Sequence, residues 1–213
     1  MWDMCHWLIW HDIALRATHI PGVENTTADA LSRGTVVPTE WTLHTGVAQQ
    51  LFGLRGRPHI DLFASAINAQ LPVFCARRHH PRAWAVDALT VDWANMFAYA
   101  FPPISLLQRV IGKIEREAGR VLLIAPFWPR QPWFPRLARL LVEAPVLLPD
   151  RPDLLRQPHS RLLHPAPGDL HLACWPLSND PSLQQAFPRT LRPGRPGDAG
   201  CRLYDSRLRL FSQ

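Results

Sequence analysis

Apolar residues between positions 59 and 177 fall into short continuous runs, each bounded by Gly, Pro or polar residues. Continuous runs of this length, rich in Val, Ile, Leu and Phe, are typical of strands buried on both faces of a sheet. We predict strands at residues 59–63, 96–100, 121–126, 146–148 and 170–175. Residues 68–93, which include His79, His80 and Asp87, have no such period and are predicted to be a loop.

Between these runs, apolar positions recur at helical spacing. Leu107, Val110, Ile111 and Ile114 continue this spacing from position 104, and a Gly at 119 is a suitable stop. A second amphipathic helix is predicted over residues 133–142, and another from a cap at position 39 to about position 54. Strands that alternate with helices in this way predict an α/β fold in which crossovers join the strands of one sheet.

The chain of 213 residues is predicted to have three parts. Residues 34–42, with Gly34 and Pro38, indicate a linker between a fragment at 1–35 and an α/β domain at 36–177. From position 178 to 213 no periodic apolar face is present, and Pro, Gly and Arg dominate residues 188–196. We therefore expect this tail to be disordered.

Basic residues outnumber acidic ones by 23 to 17, and Lys113 is the single lysine. An excess of Arg favours nucleic acid as a partner, because the guanidinium group binds phosphate with two donors, although coding bias gives the same excess. The four cysteines lack zinc-site spacing and read as reduced thiols. No apolar run is long enough to span a bilayer and no signal peptide is evident, so we expect an intracellular protein, cytoplasmic or nuclear.

The most specific motif is RATHIPGVENTTADALSRG at residues 16–34. A strand-like run breaks at Pro-Gly, crosses a polar loop and restarts as a helix, which places His19, Asn25 and Asp29 around one turn. Asp29 could hold a divalent cation, and His19 and Asn25 lie close enough to contact a phosphate or a base edge. For any one of these residues alone, a helix-end or solvated position would explain it equally well.

This motif resembles the C-terminal end of the ribonuclease H domain of retroelement polyproteins. The resemblance implies that Asp29 is the last of four carboxylates that bind Mg²⁺, that His19 assists product release and that Asn25 contacts the RNA–DNA hybrid. The family's other three carboxylates lie on earlier elements of the fold, outside this chain. Since one carboxylate cannot hold two cations, we predict that this polypeptide has no ribonuclease H activity.

A second set of candidate site residues lies in the α/β region. Asp61 is near the end of one predicted strand and Pro102-Pro103 follow another. Ligands of open α/β sheets bind beyond the carboxyl ends of the strands, where a carboxylate can hold ribose hydroxyls and a Pro-Pro turn can direct carbonyls at an amine. The alternative is that Pro102-Pro103 simply end a strand and begin a helix.

This region resembles the phage-type adenine DNA methyltransferase-like domain of DIRS-type retrotransposons, which carry a tyrosine recombinase. The motifs are IDLFASAIN at 60–68, the run from Trp93 to FPP at 101–103 and LIAPFWPRQPW at 123–133. The resemblance implies a Rossmann-like domain with S-adenosylmethionine near Asp61, Pro102 and Pro103. Active members have a [D/N]-P-P-[Y/F/W] tetrad, whereas this chain has Phe101 and Ile104 at the outer positions, so methyl transfer is not expected.

The leading hypothesis is a piece of a DIRS-type polyprotein that serves reverse transcription and hybrid processing and is inactive as this chain. Two alternatives remain open. The α/β domain could be a DNA-binding module for a recombinase supplied elsewhere, or an atypical S-adenosylmethionine-dependent methyltransferase. Nucleic acid is the expected partner in each case; the sequence makes no prediction of oligomeric state.

Overall fold

The computed structural model describes residues 40–117, 119–158 and 162–186, together with Pro21. The chain divides into two compact units, Met1–Thr39 and Glu40–Gln213. The predicted site residues His19, Asn25 and Asp29 lie outside the described residues, as does most of the predicted tail.

Strands and helices alternate along the described part of the second unit. The strands are β1 (Thr42–Leu43), β2 (Ile60–Ala64), β3 (Phe74–Ala76), β4 (Ala85–Val86), β5 (Phe97–Ala100), β6 (Arg120–Pro126), β7 (Val146–Leu147), β8 (Leu155–Arg156) and β9 (Leu172–Leu177). The α-helices are α1 (Thr45–Arg55), α2 (Leu107–Arg116), α3 (Phe134–Arg139) and α4 (Pro181–Ala186), and short 3₁₀ turns occupy Ile104–Leu106 and Gly168–Leu170.

Seven of the strands form one sheet in the order β4-β3-β2-β5-β6-β9-β7. Neighbours from β4 to β6 are parallel, and β9 is antiparallel to both β6 and β7. The predicted α/β class with a mostly parallel sheet is therefore confirmed. β1 and β8 form a separate antiparallel pair.

The sheet carries a hydrophobic core on each face, and alternate residues of β6 point to opposite cores. Leu122 and Ile124 belong to the core that contains the apolar face of α1. Val121 and Leu123 belong to the other, with the apolar faces of α2 and α3. Because both faces of β6 are covered, apolar residues are favoured on each, which explains its continuous apolar run.

Three predicted helices differ from the observed ones at their ends. α1 begins at Thr45 and not after a cap at position 39, because Thr42–Leu43 are held as a strand by β8; the His44 side chain caps the helix, its Nδ1 accepting from Gly46 N–H at 3.1 Å. α2 is preceded by a 3₁₀ turn and ends at Arg116. α3 ends early, because the Val142 N–H donates to Pro176 of β9.

Two segments predicted to lack regular structure are partly ordered. The predicted loop at 68–93 contains β3 and β4, which have too few residues to show a period. At the predicted start of the tail, Ser178 is buried and its N–H donates to the Leu140 carbonyl at 2.9 Å. Pro181–Ala186 then form α4, so the prediction of disorder is wrong for residues 178–186.

Candidate functional site

The order of the sheet identifies one crevice where a ligand is expected. From β2 the chain proceeds outward through β3 and β4, and it then returns to place β5 on the other side of β2. The point where strand order reverses, at the carboxyl ends of β2 and β5, is the usual ligand site of open α/β sheets. The structure brings two predicted features there: the segment after Ala64 and Pro102-Pro103 after Ala100.

Asp61 is the second residue of β2, not its end, and it is 2% exposed. Its carboxylate accepts N–H donors from Phe63 at 3.3 Å and from Gln70 at 3.0 Å. Burial raises the pKa of this carboxyl to about 7, and the two backbone hydrogen bonds oppose part of the increase. Asp61 thus ties the loop before β3 to β2. Contact with a ribose would require this buried carboxylate to become accessible.

The loop after β2 is closed by its own side chains. Asn68 Oδ1 accepts from the Ser65 N–H at 2.5 Å and from the Ser65 hydroxyl at 3.0 Å. Residues 64–70 contain no glycine. Nucleotide-binding loops at this position use glycines so that their backbone can approach the ligand closely, and this loop lacks that property.

Pro102 and Pro103 lie at the crevice but their surroundings differ from those of a catalytic tetrad. Pro102 is buried and Pro103 is exposed. The Pro103 carbonyl already accepts from the Leu106 N–H at 2.9 Å, in the turn that leads into α2. Phe101 packs against the core on the α1 face and Ile104 is 44% exposed. The geometry matches the alternative in which the two prolines end a strand and begin a helix.

The segment after β3 is basic. Arg77, Arg78 and His79 are exposed, and His80 Nδ1 accepts from the Arg82 N–H at 3.1 Å. A carboxylate that binds ribose usually stands about 20 residues beyond the first turn of a dinucleotide site, near the end of the second strand. In this chain arginines follow β3 instead. Among the described residues, no group of three or more His, Cys, Asp or Glu side chains could hold a metal ion.

A second concave site was not found from the sequence. It is a cleft of about 440 Å³ along the polar side of α2. Its lining includes Arg109, Lys113 and Arg116 from α2 and Arg136 from α3. The basic positions at 109, 113 and 116 have the spacing of one helical face and were the available signal.

No protein-family model and no curated protein matches this chain. No helix in the described ranges is long and apolar enough to cross a membrane.

Proposed function

We propose that this chain is a piece of a DIRS-type retroelement polyprotein. Residues 1–35 would be the end of a ribonuclease H domain, and the α/β region a methyltransferase-like domain that binds nucleic acid without transferring a methyl group. Its role would be in reverse transcription, hybrid processing and the DNA steps of transposition.

The order of the strands is the observation that carries the domain assignment. Without β9, the order of the sheet from edge to edge is β4-β3-β2-β5-β6-β7. Counted along the chain, these six strands are the third, second, first, fourth, fifth and sixth of the sheet. Doubly wound Rossmann folds have the same order, which supports the proposal. Rossmann-like methyltransferases add one antiparallel strand between the last two of these, and β9 occupies that position.

The position of Pro102-Pro103 supports the same assignment. In the family that this region resembles, the Pro-Pro tetrad follows the fourth parallel strand, at the crevice where the target base is bound. Here the two prolines follow β5, which is the fourth parallel strand. Phe101 has no acceptor for an amine, and Ile104 has no ring to stack on a flipped base. A domain with this fold and this sequence is expected to have lost methyl transfer.

The cofactor side of the crevice supports loss of activity as well. S-adenosylmethionine would need space near the loop after β2 and a free carboxylate for its ribose. That loop has no glycine, and the carboxylate of Asp61 is buried, where it accepts backbone N–H groups of the protein itself. The first test is calorimetric titration of the purified chain with S-adenosylmethionine, with a competent adenine methyltransferase as positive control. We expect no heat of binding, and no methylation of adenine in duplex DNA.

A binding isotherm together with adenine methylation that disappears in Pro102→Ala would contradict this proposal and favour the atypical methyltransferase. Binding without methylation would show that the pocket survives and the chemistry does not. The same preparation tests the ribonuclease H prediction, because metal-dependent cleavage of the RNA strand of a hybrid would contradict the inactivity expected from Asp29 alone.

The retroelement origin is tested by translating the DNA directly upstream of position 1. We expect, in frame, a Y-x-D-D reverse transcriptase motif and the carboxylates that complete the ribonuclease H site with Asp29. A long intact upstream region without either of them would count against the retroelement origin. The assignment of the α/β domain would remain, because it depends on the strand order.

The DNA-binding alternative from the sequence is favoured over the catalytic one by a specific observation. The cleft beside α2 carries more cationic than anionic side chains, whereas Asp61, the carboxylate predicted to lie near a cofactor, is buried. A binding role therefore fits the described residues better than a catalytic role.

A further inference from the structure

The cleft beside α2 has an excess of positive charge that the protein does not neutralise. Lys113 is compensated, since its Nζ lies 2.5 Å from Glu117 Oε1 and 5.3 Å from the centre of the Trp93 ring. Arg136 is compensated as well, through two bonds to Glu115 at 3.0 and 2.6 Å. Cleft residues beyond these two pairs supply the excess.

Arg109 and Arg116 are the cations of the cleft that no carboxylate binds directly in the described part of the chain, although the charge of Arg116 contributes to the lowered pKa of the nearby Glu115. Both are exposed, and within the described part of the chain neither makes a hydrogen bond or an ion pair. They stand seven residues apart on α2, which is two turns, so they share one side of the helix. The cleft also contains Ser105 and Gln108, whose side chains are neutral hydrogen-bond donors.

Gly112 brings two guanidinium groups together at the floor of the cleft. A Cβ at this position would stand 3.1 Å from Arg136 Nη2 and 3.5 Å from Arg116 Nη1. Two helices thus direct cations at the same point, where a side chain is missing. Glu115 already offsets the charge of Arg136, from whose Nη2 it accepts at 2.6 Å, so Arg116 is the cation that remains available to a bound anion at this point.

We infer that this cleft binds the phosphodiester backbone of nucleic acid, through Arg109 and Arg116, without reading the base sequence. The inference rests on the proposed function and assigns its nucleic-acid contact to a specific surface. Arg109 and Arg116 leave the helix about 10 Å apart along its axis, a spacing better matched by two phosphates of an extended backbone than by one. Arginine suits this role, because its planar group donates two hydrogen bonds to one phosphate.

The test measures binding of the full chain to a fluorescently labelled duplex of random sequence, by anisotropy, at several salt concentrations. The double variant R109Q/R116Q is compared with R57Q/R156Q. Arg57 and Arg156 are also exposed, and they do not line the cleft. Both double variants lower the net charge equally, so a difference between them reports location. Because all four side chains are exposed, the variants are expected to keep the wild-type circular dichroism and melting temperature.

Wild-type protein is expected to bind with an affinity that falls steeply with salt. Each phosphate contact contributes about 0.9 to the slope of log K against log salt, so R109Q/R116Q should lower the slope by about 2. At about 0.1 M salt its affinity should fall by roughly tenfold or more, against less than about threefold for R57Q/R156Q. A duplex of different sequence should give the same losses.

Three results would overturn the inference. Equal losses in both double variants would mean that only net charge matters, while leaving nucleic-acid binding and the proposed function intact. Displacement of the duplex by low millimolar inorganic phosphate would assign the cleft to a small anion. If the wild-type chain bound neither duplex DNA nor an RNA–DNA hybrid at about 50 mM salt, the nucleic-acid part of the proposed function would fail together with this inference.

Discussion

Asp61 and Tyr99 are partners in parallel register on β2 and β5, and each residue is 2% exposed. Burial raises the pKa of Asp61 to about 7. Burial also raises the pKa of Tyr99, and the nearby Asp61 charge adds to the increase. The Tyr99 hydroxyl has no hydrogen-bond partner within the described residues. The centre of the sheet thus contains an acid that is neutral when the pH is below about 7.

The first prediction follows from the pKa of Asp61, which is about 7 in the folded protein against 3.8 in the reference state. The folded state holds the proton more tightly, so this stabilisation is complete below pH 3.8 and is lost as the pH rises to about 7. We expect a loss of about 4 kcal/mol in the free energy of unfolding across this window. Urea unfolding of wild type and Asp61→Asn at several pH values measures it as the difference between the two proteins.

The difference between wild type and Asp61→Asn is needed because His164 changes the pH dependence of the free energy of unfolding in the opposite direction. Burial lowers the pKa of His164, so its contribution to stability increases as the pH rises through its titration. Asp153→Asn is the matched control, since Arg151 lowers the pKa of this exposed carboxyl and its effect is confined to acidic pH. A difference between wild type and Asp61→Asn that stayed constant from pH 4 to 7 would contradict the burial of an acid at this position.

The second prediction concerns the unpartnered hydroxyl of Tyr99. Removing it in Tyr99→Phe should leave the free energy of unfolding unchanged or raise it by about 1 kcal/mol, because a buried hydroxyl without a partner costs free energy. Tyr99→Ala should lower it by about 3–5 kcal/mol, since the ring packs edge-on against Phe52 at 5.3 Å. Denaturant unfolding measures both. A loss above about 2 kcal/mol in Tyr99→Phe would mean that the hydroxyl has a partner.

The third prediction compares two buried glycines. Gly112 lies inside α2, and an added Cβ would meet only the flexible ends of Arg136 and Arg116. Gly112→Ala should therefore raise the free energy of unfolding by up to about 1 kcal/mol through helix propensity. At Gly119 the same Cβ would come within 2.4 Å of the Trp93 carbonyl oxygen. Gly119→Ala should destabilise by about 2 kcal/mol or more, because backbone must move. Thermal unfolding of both variants decides whether they differ in sign.

The fourth prediction concerns the partly buried ion pair between Lys113 of α2 and Glu117, which directly follows the helix. Glu117 accepts from Lys113 Nζ at 2.5 Å and from the Trp93 N–H at 2.8 Å, and the Lys113 side chain is 7% exposed. Glu117→Gln leaves the ammonium without a counter-charge and should lower the free energy of unfolding by about 3 kcal/mol. Lys113→Met in the same background should restore much of that loss, because an apolar side chain of similar volume needs no partner.

Urea unfolding of the two single variants and the double variant forms a cycle that isolates the pair. Arg151 with Asp153, whose side chains are more exposed than those of Lys113 and Glu117, serve as the control pair and should show a far smaller coupling. Full additivity of Glu117→Gln and Lys113→Met would show that the two charges do not interact in the folded protein.

The sequence by itself determined the class of the fold and its central elements. Strands β5 and β6 and the apolar face of α2 were predicted close to their observed positions. These elements are buried on both faces or on one clear helical face, so burial imposes a pattern that local reading detects. The Pro-Pro turn after β5 could also be predicted from the sequence, because proline restricts the backbone wherever it occurs.

Only the tertiary structure decided the features that depend on neighbours distant in the chain. β8 pairs with Thr42–Leu43 and so sets the start of α1. Pro176 of β9 accepts from the Val142 N–H and so sets the end of α3. Asp61, which the sequence predicts to lie near a ribose, instead accepts a hydrogen bond from the Gln70 N–H. Arg136 approaches Arg116 only because α2 and α3 pack on the same face of the sheet. Burial patterns are local and can be read from sequence, whereas pairing and convergence arise from the order in which the sheet brings its strands together.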